Sequence, residues 1–203
     1  MTAPATAWGK FYDEDFSFRR ILDNIGAHGP LLGEVLDARA QAVLEVGVGS
    51  GSMSAFLSHY VPSVIGVDND DAVLAKAEET NRTMQGRATF RQADAFALEK
   101  VFPATRFDFA ISQGLLEHFS DDEIRSLVAQ QVAVASTVLV SIPSYWYPQQ
   151  DFGNERLLKP EDWRRILAPL GLRVDVEPYG FSRNRKNLFL WKPFHLLVRV
   201  RRE

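Results

Sequence analysis

The sequence predicts an α/β fold: a parallel sheet wrapped by helices on both faces. Three observations carry that expectation. Short β-favouring apolar runs alternate with amphipathic segments at least four times along 203 residues, the pattern of successive strand–helix–strand units. The first apolar run feeds a loop in which Gly47, Gly49 and Gly51 alternate. Acidic or polar residues then fall where the strands end, at Glu45, Asp68, Asp94 and Ser112–Gln113. In open parallel sheets, ligands bind outside the carboxyl ends of the strands, so this convergence points to a ligand site.

The elements follow in order. Residues 1–10 read as a loose arm. Phe11, Phe18, Ile21, Leu22 and Ile25 have the spacing of an amphipathic helix or two short ones, broken at Gly29–Pro30, and Leu31 to Leu36 reads as a second short helix. Val43, Leu44 and Val46 form the first strand. A helix from Ser52 to Tyr60 follows, burying Met53, Phe56, Leu57 and Tyr60, and Pro62 marks its end. Val64 to Asp68 is the second strand. Asn69 or Asp70 caps the next helix, which Gly86 closes. Ala88 to Ala93 is the third strand and Phe107 to Ser112 the fourth. Ser120 and Glu123 have the spacing of a capping box. Ser136 to Ile142 is the fifth strand, stopped by Pro143. Pro160 to Leu170 is a helix with proline early and Gly171 after its end. Leu172 to Val176 and His195 to Arg201 read as the last strands, separated by a basic and aromatic insert.

Composition narrows the class. A hydrophobic fraction of 46% and a charged fraction of 24% are those of an ordinary globular chain. A net charge of −3 supplies no basic field for nucleic acid. There are no cysteines, hence no disulfide and no thiolate-held metal. MTAPATAWGKFYDED lacks a basic segment followed by a long apolar run, so no secretory signal is expected. No apolar run reaches the length of a membrane span. The expectation is a single cytoplasmic domain over 1–203, with a helical arm or lid at 1–38 and substrate-side loops at 143–159 and 181–194. It would be a monomer or homodimer that binds no membrane and no nucleic acid.

The loop limits the ligand. Glycines permit left-handed backbone and close approach of a ligand, and a helix starting there offers free N–H groups. Asp68 lies about 20 residues beyond Gly47, the position from which an acid hydrogen-bonds a ribose diol. A dinucleotide loop of the form G-x-G-x-x-G would put its third glycine at position 52, which is Ser52. The spacing is instead E-x-G-x-G-x-G. Glu45 would repel a pyrophosphate and attract an ammonium group.

The segments LEVGVGSG, VIGVDND, RQADAF, FDFAISQGLLEHF and VLVSIPS, in that order, resemble the class I S-adenosylmethionine-dependent methyltransferases over about residues 40–175. The resemblance implies a Rossmann-like three-layer sandwich whose seven-stranded sheet is mainly parallel with the last strand antiparallel. It implies S-adenosyl-L-methionine as cofactor. Glu45 and the backbone of Gly47, Gly49 and Gly51 would line its methionyl part and adenosine. Asp68 would hold the ribose, with Asn69 beside the adenine. Asp94 and Ala95 would meet the adenine amino group, and Ser112–Gln113 the methionyl amine. Tyr12 resembles a tyrosine that closes over the cofactor.

His118, just beyond the fourth strand, is the candidate general base or pocket-lining residue. His59 is expected at the surface, and His28 is a weaker candidate for the site. Acceptor recognition is expected from segments outside the shared core: Trp8, Phe11, Tyr12 and Phe16, the loop with Tyr145, Trp146 and Tyr147, and the 181–194 insert. Arg156, Arg183, Arg185 and Lys186 are cations that can pair with an acidic group on the acceptor. The residue after strand four is not the Asn/Asp-Pro-Pro-aromatic of base amino methyltransferases, and no metal cluster is visible. The reading is methyl transfer to O or N of a small molecule. A dinucleotide-dependent oxidoreductase and a non-catalytic binding module are the alternatives.

Overall fold

A computed structural model describes residues 17–104, 106–148, 154–183 and 191–202, and for 181–183 and 191 the backbone alone. Seven strands form one sheet: β1 Ala42–Val46, β2 Ser63–Asp68, β3 Thr89–Gln92, β4 Phe107–Gln113, β5 Ala135–Pro143, β6 Arg173–Arg183 and β7 Trp191–Arg201. Their spatial order is β3-β2-β1-β4-β5-β7-β6. The first five are parallel, and β7 runs antiparallel to both β5 and β6. Strand order reverses between β1 and β4, which creates the crevice where ligands of such sheets bind.

The helices are α1 Phe18–Ala27, α2 Gly29–Asp37, α3 Ser52–Leu57, α4 Asp71–Thr83, α5 Leu98–Val101, α6 Asp121–Val134 and α7 Pro160–Leu167. Short 3-10 turns lie at Ala95–Ala97, Leu116–His118 and Ala168–Leu170. Two cores sandwich the sheet. On one face Ile124, Leu127 and Val128 of α6 and Trp163, Ile166 and Leu167 of α7 pack on Leu44, Ala110, Val138, Val140 and Val198. On the other, Leu31, Leu32 and Val35 of α2 and Met53 and Leu57 of α3 pack on Val43, Phe109, Ile111, Leu139 and Leu197. Successive strand residues point to opposite faces, so Glu45 shares the α3 face with Val43, and Ser141 shares the α2 face with Leu139.

Local chemistry sets the boundaries. Ser120 and Glu123 form the reciprocal capping box that opens α6, and the Asp70 carboxylate accepts the Ala72 N–H at the start of α4. Helix α1 ends at His28, and Pro30 sits in the first turn of α2, where its missing N–H costs nothing.

Several expectations needed correction. Helix α3 stops at Leu57 rather than Tyr60, and Tyr60 is 63% exposed rather than part of the buried stripe. Phe18 and Leu22 of α1 are exposed as well, so Ile21 carries the buried face. The 181–194 segment is not a loop at its two ends: β6 extends into it to Arg183 and β7 begins at Trp191, pairing Phe181 with Pro193 and Arg183 with Trp191. Pairing between the two strands supplies backbone partners that aromatic and basic side chains gave no sign of. Among the described residues no helix is long and apolar enough to cross a membrane.

Candidate active site

The glycine loop is stitched to the end of β2. The N–H groups of Gly47 and Val48 both donate to the Val67 carbonyl, at 2.9 and 3.1 Å. Gly47, Gly49 and Gly51 all have positive φ, at 71, 52 and 73°, which side chains other than glycine adopt only with strain. At Gly51 space forbids a side chain too: a Cβ would lie 2.7 Å from Ala77 of α4. The turn therefore brings α3, α4 and the two strand ends together around bare backbone.

Three acids border that backbone. Asp68 is half-buried, and its carboxylate accepts N–H groups from Asp70, Asn69 and Gly49, which tie it to the loop. Burial raises its pKa and those bonds oppose the rise. Glu45 is buried, and its Oε2 accepts from the backbone N–H and hydroxyl of Ser54 on α3, at 2.9 and 2.5 Å. Desolvation pushes its carboxyl up to about 7 against those bonds. The acid thus has a partner within the chain, one not foreseen from its spacing to the glycines. Asp94 is exposed, and its carboxylate accepts the Phe96 N–H at 2.8 Å, capping the turn that contains Ala95. The Ala93 N–H donates to the Asp68 carbonyl, and the Gln92 side chain to the Asn69 carbonyl, locking the ends of β2 and β3 side by side. At the end of β4, Ser112 is fully buried with no hydrogen-bond partner for its hydroxyl among the described residues, and Gln113 is half-buried.

Glu45, the glycines, Asp68, Asn69, Asp94, Ala95, Ser112 and Gln113 thus lie at the carboxyl ends of four adjacent strands, β3-β2-β1-β4. That set suits an adenosyl amino acid. It offers a cradle of positive-φ glycines with no room for a Cβ at Gly51, a carboxylate at a strand end for a diol, a buried acid, and at the neighbouring strand a buried hydroxyl without a partner among the described residues.

The β4–β5 side is built differently. His118 ends the Leu116–His118 turn, with its Nδ1 2.9 Å from the Asn154 Oδ1. Beside it Glu117 is buried with one carboxylate oxygen unpartnered, and burial reinforced by Glu155 pushes it up to about 8. Arg156 is committed locally. Its guanidinium donates to the Phe119 carbonyl at 2.9 Å and the Asp121 carboxylate at 2.6 Å, while its N–H donates to the Glu117 carbonyl. Tyr145, Trp146 and Tyr147 follow β5 as expected. Trp8, Phe11, Tyr12, Phe16, Arg185 and Lys186, and the side chain of Arg183, lie outside the described residues.

One buried cluster was largely missed. His28 Nδ1 lies 2.7 Å from the Tyr179 hydroxyl and 3.0 Å from the Ser141 hydroxyl, which also bond each other. His195 stacks on Tyr179 at 5.3 Å. Burial holds both imidazoles neutral, lowering His28 to about 3 and His195 to about 4. The available signal was Ser141, a hydroxyl at an inward position in the apolar run that follows Thr137 of β5. The same helix α1 reaches the loop, where Asn24 donates to the Ser52 hydroxyl at 2.8 Å. His59 is at the surface, bonded to the Met84 carbonyl.

Comparison with known proteins agrees with this geometry. Residues 43–136 match the family described as "Methyltransferase domain". The chain is 32% identical over 92 residues to phosphoethanolamine N-methyltransferase 1 of Triticum aestivum. It is 33% identical over 91 residues to an uncharacterized methyltransferase of Mycobacterium bovis. Each alignment covers 45% of this chain, but only 18% and 44% of those relatives. The methyltransferase domain of bacterial CtHen1 superposes with a TM-score of 0.69 at 18% identity, covering 88% of this chain and 98% of that one. Magnesium protoporphyrin IX methyltransferase of Synechocystis, solved with SAH bound, gives 0.64 at 17% identity, covering 96% and 93%. Fold, loop and the match over residues 43–136 support a class I S-adenosylmethionine-dependent methyltransferase, and the chain spans less than half the length of the curated relatives it matches.

Proposed function

We propose that the protein transfers a methyl group from S-adenosylmethionine to oxygen or nitrogen of a small molecule in the cytoplasm. It would act as a monomer or homodimer, without nucleic acid or membrane as partner. The observation that carries this is the division of the sheet's carboxyl edge. The glycine cradle, Asp68 and Asp94 occupy β3-β2-β1, and an aromatic loop with His118 occupies the β4–β5 side.

S-adenosylmethionine supplies an already activated sulfonium methyl. The chain's task is then alignment and exclusion of water. The Gly47–Gly51 backbone and Asp68 would hold the donor, and Glu45 would place negative charge near its cationic end. Tyr145, Trp146 and Tyr147 would enclose the acceptor, with Phe16 and Tyr12 contributing from the N-terminal arm. Where the nucleophile carries a proton, His118 is placed to accept it, with Asn154 fixing its tautomer. Arg156 supports His118 through the Glu117 carbonyl rather than by reaching the acceptor. Incubation with S-adenosylmethionine and a panel of phenols, carboxylic acids and amines, read by mass spectrometry, tests the reading. One added methyl on a small acceptor supports it. Methylation of RNA alone, or tight NAD(H) binding without S-adenosylhomocysteine binding, would overturn it.

A further inference from the structure

The loop leaving β5 is pinned rather than loose. The Ser144 N–H donates to the Phe194 carbonyl at 2.8 Å, and its hydroxyl donates to the Pro193 carbonyl while accepting the Trp146 N–H. The Tyr147 N–H donates to the Ser144 carbonyl, and its ring turns inward to lie 5.7 Å from His195. That turn leaves the next two aromatics facing out. Tyr145 is 39% exposed and Trp146 36%, with their rings 4.7 Å apart. Large aromatics held in water by a rigid turn are surface that binds.

Two ammonium groups sit on those rings. Lys192 of β7 places Nζ 4.0 Å from the Trp146 ring centroid, and Lys159, before α7, places its own 5.6 Å from that of Tyr145. Neither lysine pairs with a carboxylate among the described residues. Three separate stretches of chain thus assemble a shelf of two aromatic rings, tilted 42° to each other and edged by positive charge without a carboxylate partner among the described residues, on a protein of net charge −3. The shelf lies beside the reaction site. Gln113 at the end of β4 pairs with Ser141, and the Gly114 N–H donates to the Ser141 carbonyl at 3.0 Å, two residues before β5 ends.

We infer that Tyr145, Trp146, Lys159 and Lys192 form the anchoring subsite for the methyl acceptor, and that the acceptor is a planar molecule bearing an anionic group such as a carboxylate. Resting on the proposed methyl transfer, this names the substrate class. The rings take the flat body, and the ammonium groups take the anion through charge-assisted hydrogen bonds. The cations differ from those expected from sequence, since Arg156 is spent on Asp121 and the turn preceding α6.

Calorimetry with 2-naphthoate and its neutral isostere 2-naphthamide tests the subsite. The naphthoate is expected to bind about tenfold more tightly. Lys159→Gln with Lys192→Gln should bring the two probes within about twofold, and Trp146→Ala should weaken both. S-adenosylhomocysteine affinity, measured on the same samples, should not move in any variant, which also reports that each is folded. Equal binding of the two probes, no binding of either, or naphthoate binding untouched by the lysine changes overturns the inference. So does displacement of naphthoate by a short single-stranded RNA that binds more tightly. Absence of S-adenosylhomocysteine binding to the unmodified protein would instead strike the methyl-transfer reading, and the two failures are told apart in one titration series.

Discussion

At the β3-β2-β1 end of the sheet, the surface offered to a ligand is mostly backbone. Three glycines in left-handed conformation, N–H groups anchored on Val67, and one carboxylate held by three backbone donors leave little that can rotate. At the β5-β7-β6 end the surface is side chains, lysines on aromatic rings, with Tyr147 against His195 and the buried His28–Ser141–Tyr179 cluster beneath. The first region suits a ligand that never changes. The second can be altered residue by residue without disturbing the turn that supports it. On the proposed methyl transfer, the difference would separate the donor half from the acceptor half, and it says where substitutions should affect binding of one ligand alone.

The largest effect is expected from Asp68→Ala. Two hydrogen bonds to a charged group contribute about 1.5–3 kcal/mol each. Affinity for S-adenosylhomocysteine should therefore fall by about 150- to 20,000-fold in calorimetry, while 2-naphthoate binding stays put. Unchanged cofactor affinity would remove the ribose role and with it the division between the two ends.

His118→Ala should act on the other side of that division. Loss of a positioned base costs about 100-fold in kcat, and cofactor affinity should stay within twofold. The reverse pattern, weaker cofactor with kcat intact, would move His118 to the donor half. A Glu117→Gln variant should retain turnover, because the Glu117 contact to Arg156 runs through its carbonyl.

The buried His28–Ser141–Tyr179 cluster ties the junction of α1 and α2 to the acceptor end. Tyr179→Phe removes one hydroxyl from a site that excludes water and leaves its two partners short of a bond. That should cost about 1–3 kcal/mol of unfolding free energy in urea, with cofactor affinity unaffected. A neutral result would mean that the three groups close their bonds without the tyrosine.

The same contrast explains what could be read in the sequence. The glycine-loop end was legible as structure because its parts are local. A strand, three glycines and an acid at the next strand end occupy Glu45 to Asp68, and each spacing has one geometric meaning. The capping residues Asp70 and Ser120 were legible for the same reason. The acceptor end was not, because its contacts join residues far apart in the chain. His28 meets Tyr179, and Trp146 meets Lys192, with no periodic signal linking either pair. Tyr60 misled because the pattern of α3 continues in sequence past the point where the helix unwinds. Glu45 was placed correctly at a strand end, yet its bond to Ser54 required knowing how α3 lies over β1.

The smallest expected effect is a flat region in the pH dependence of stability, and it comes from two buried histidines and two buried glutamates opposing each other. His28 and His195 at the acceptor end are lowered to about 3 and 4 from an ordinary 6.5. The unfolded chain binds their protons first, so stability falls as pH drops below about 6.5. Glu45 in the donor half and Glu117 beside His118 are raised to about 7 and 8 from 4.5. For them the folded chain holds the protons, so stability falls as pH rises above about 4.5 until both have ionised. Between about 4.5 and 6.5 the histidines release two protons on folding and the glutamates take up two, and the slopes cancel. Urea unfolding followed by tryptophan fluorescence should show a plateau there, with declines on both sides. Glu117→Gln removes one opposing group, so the plateau should tilt upward with pH and the alkaline decline should weaken. A variant that keeps the same profile would mean that the Glu117 carboxyl ionises as easily folded as unfolded, and that its burial beside Glu155 carries no penalty.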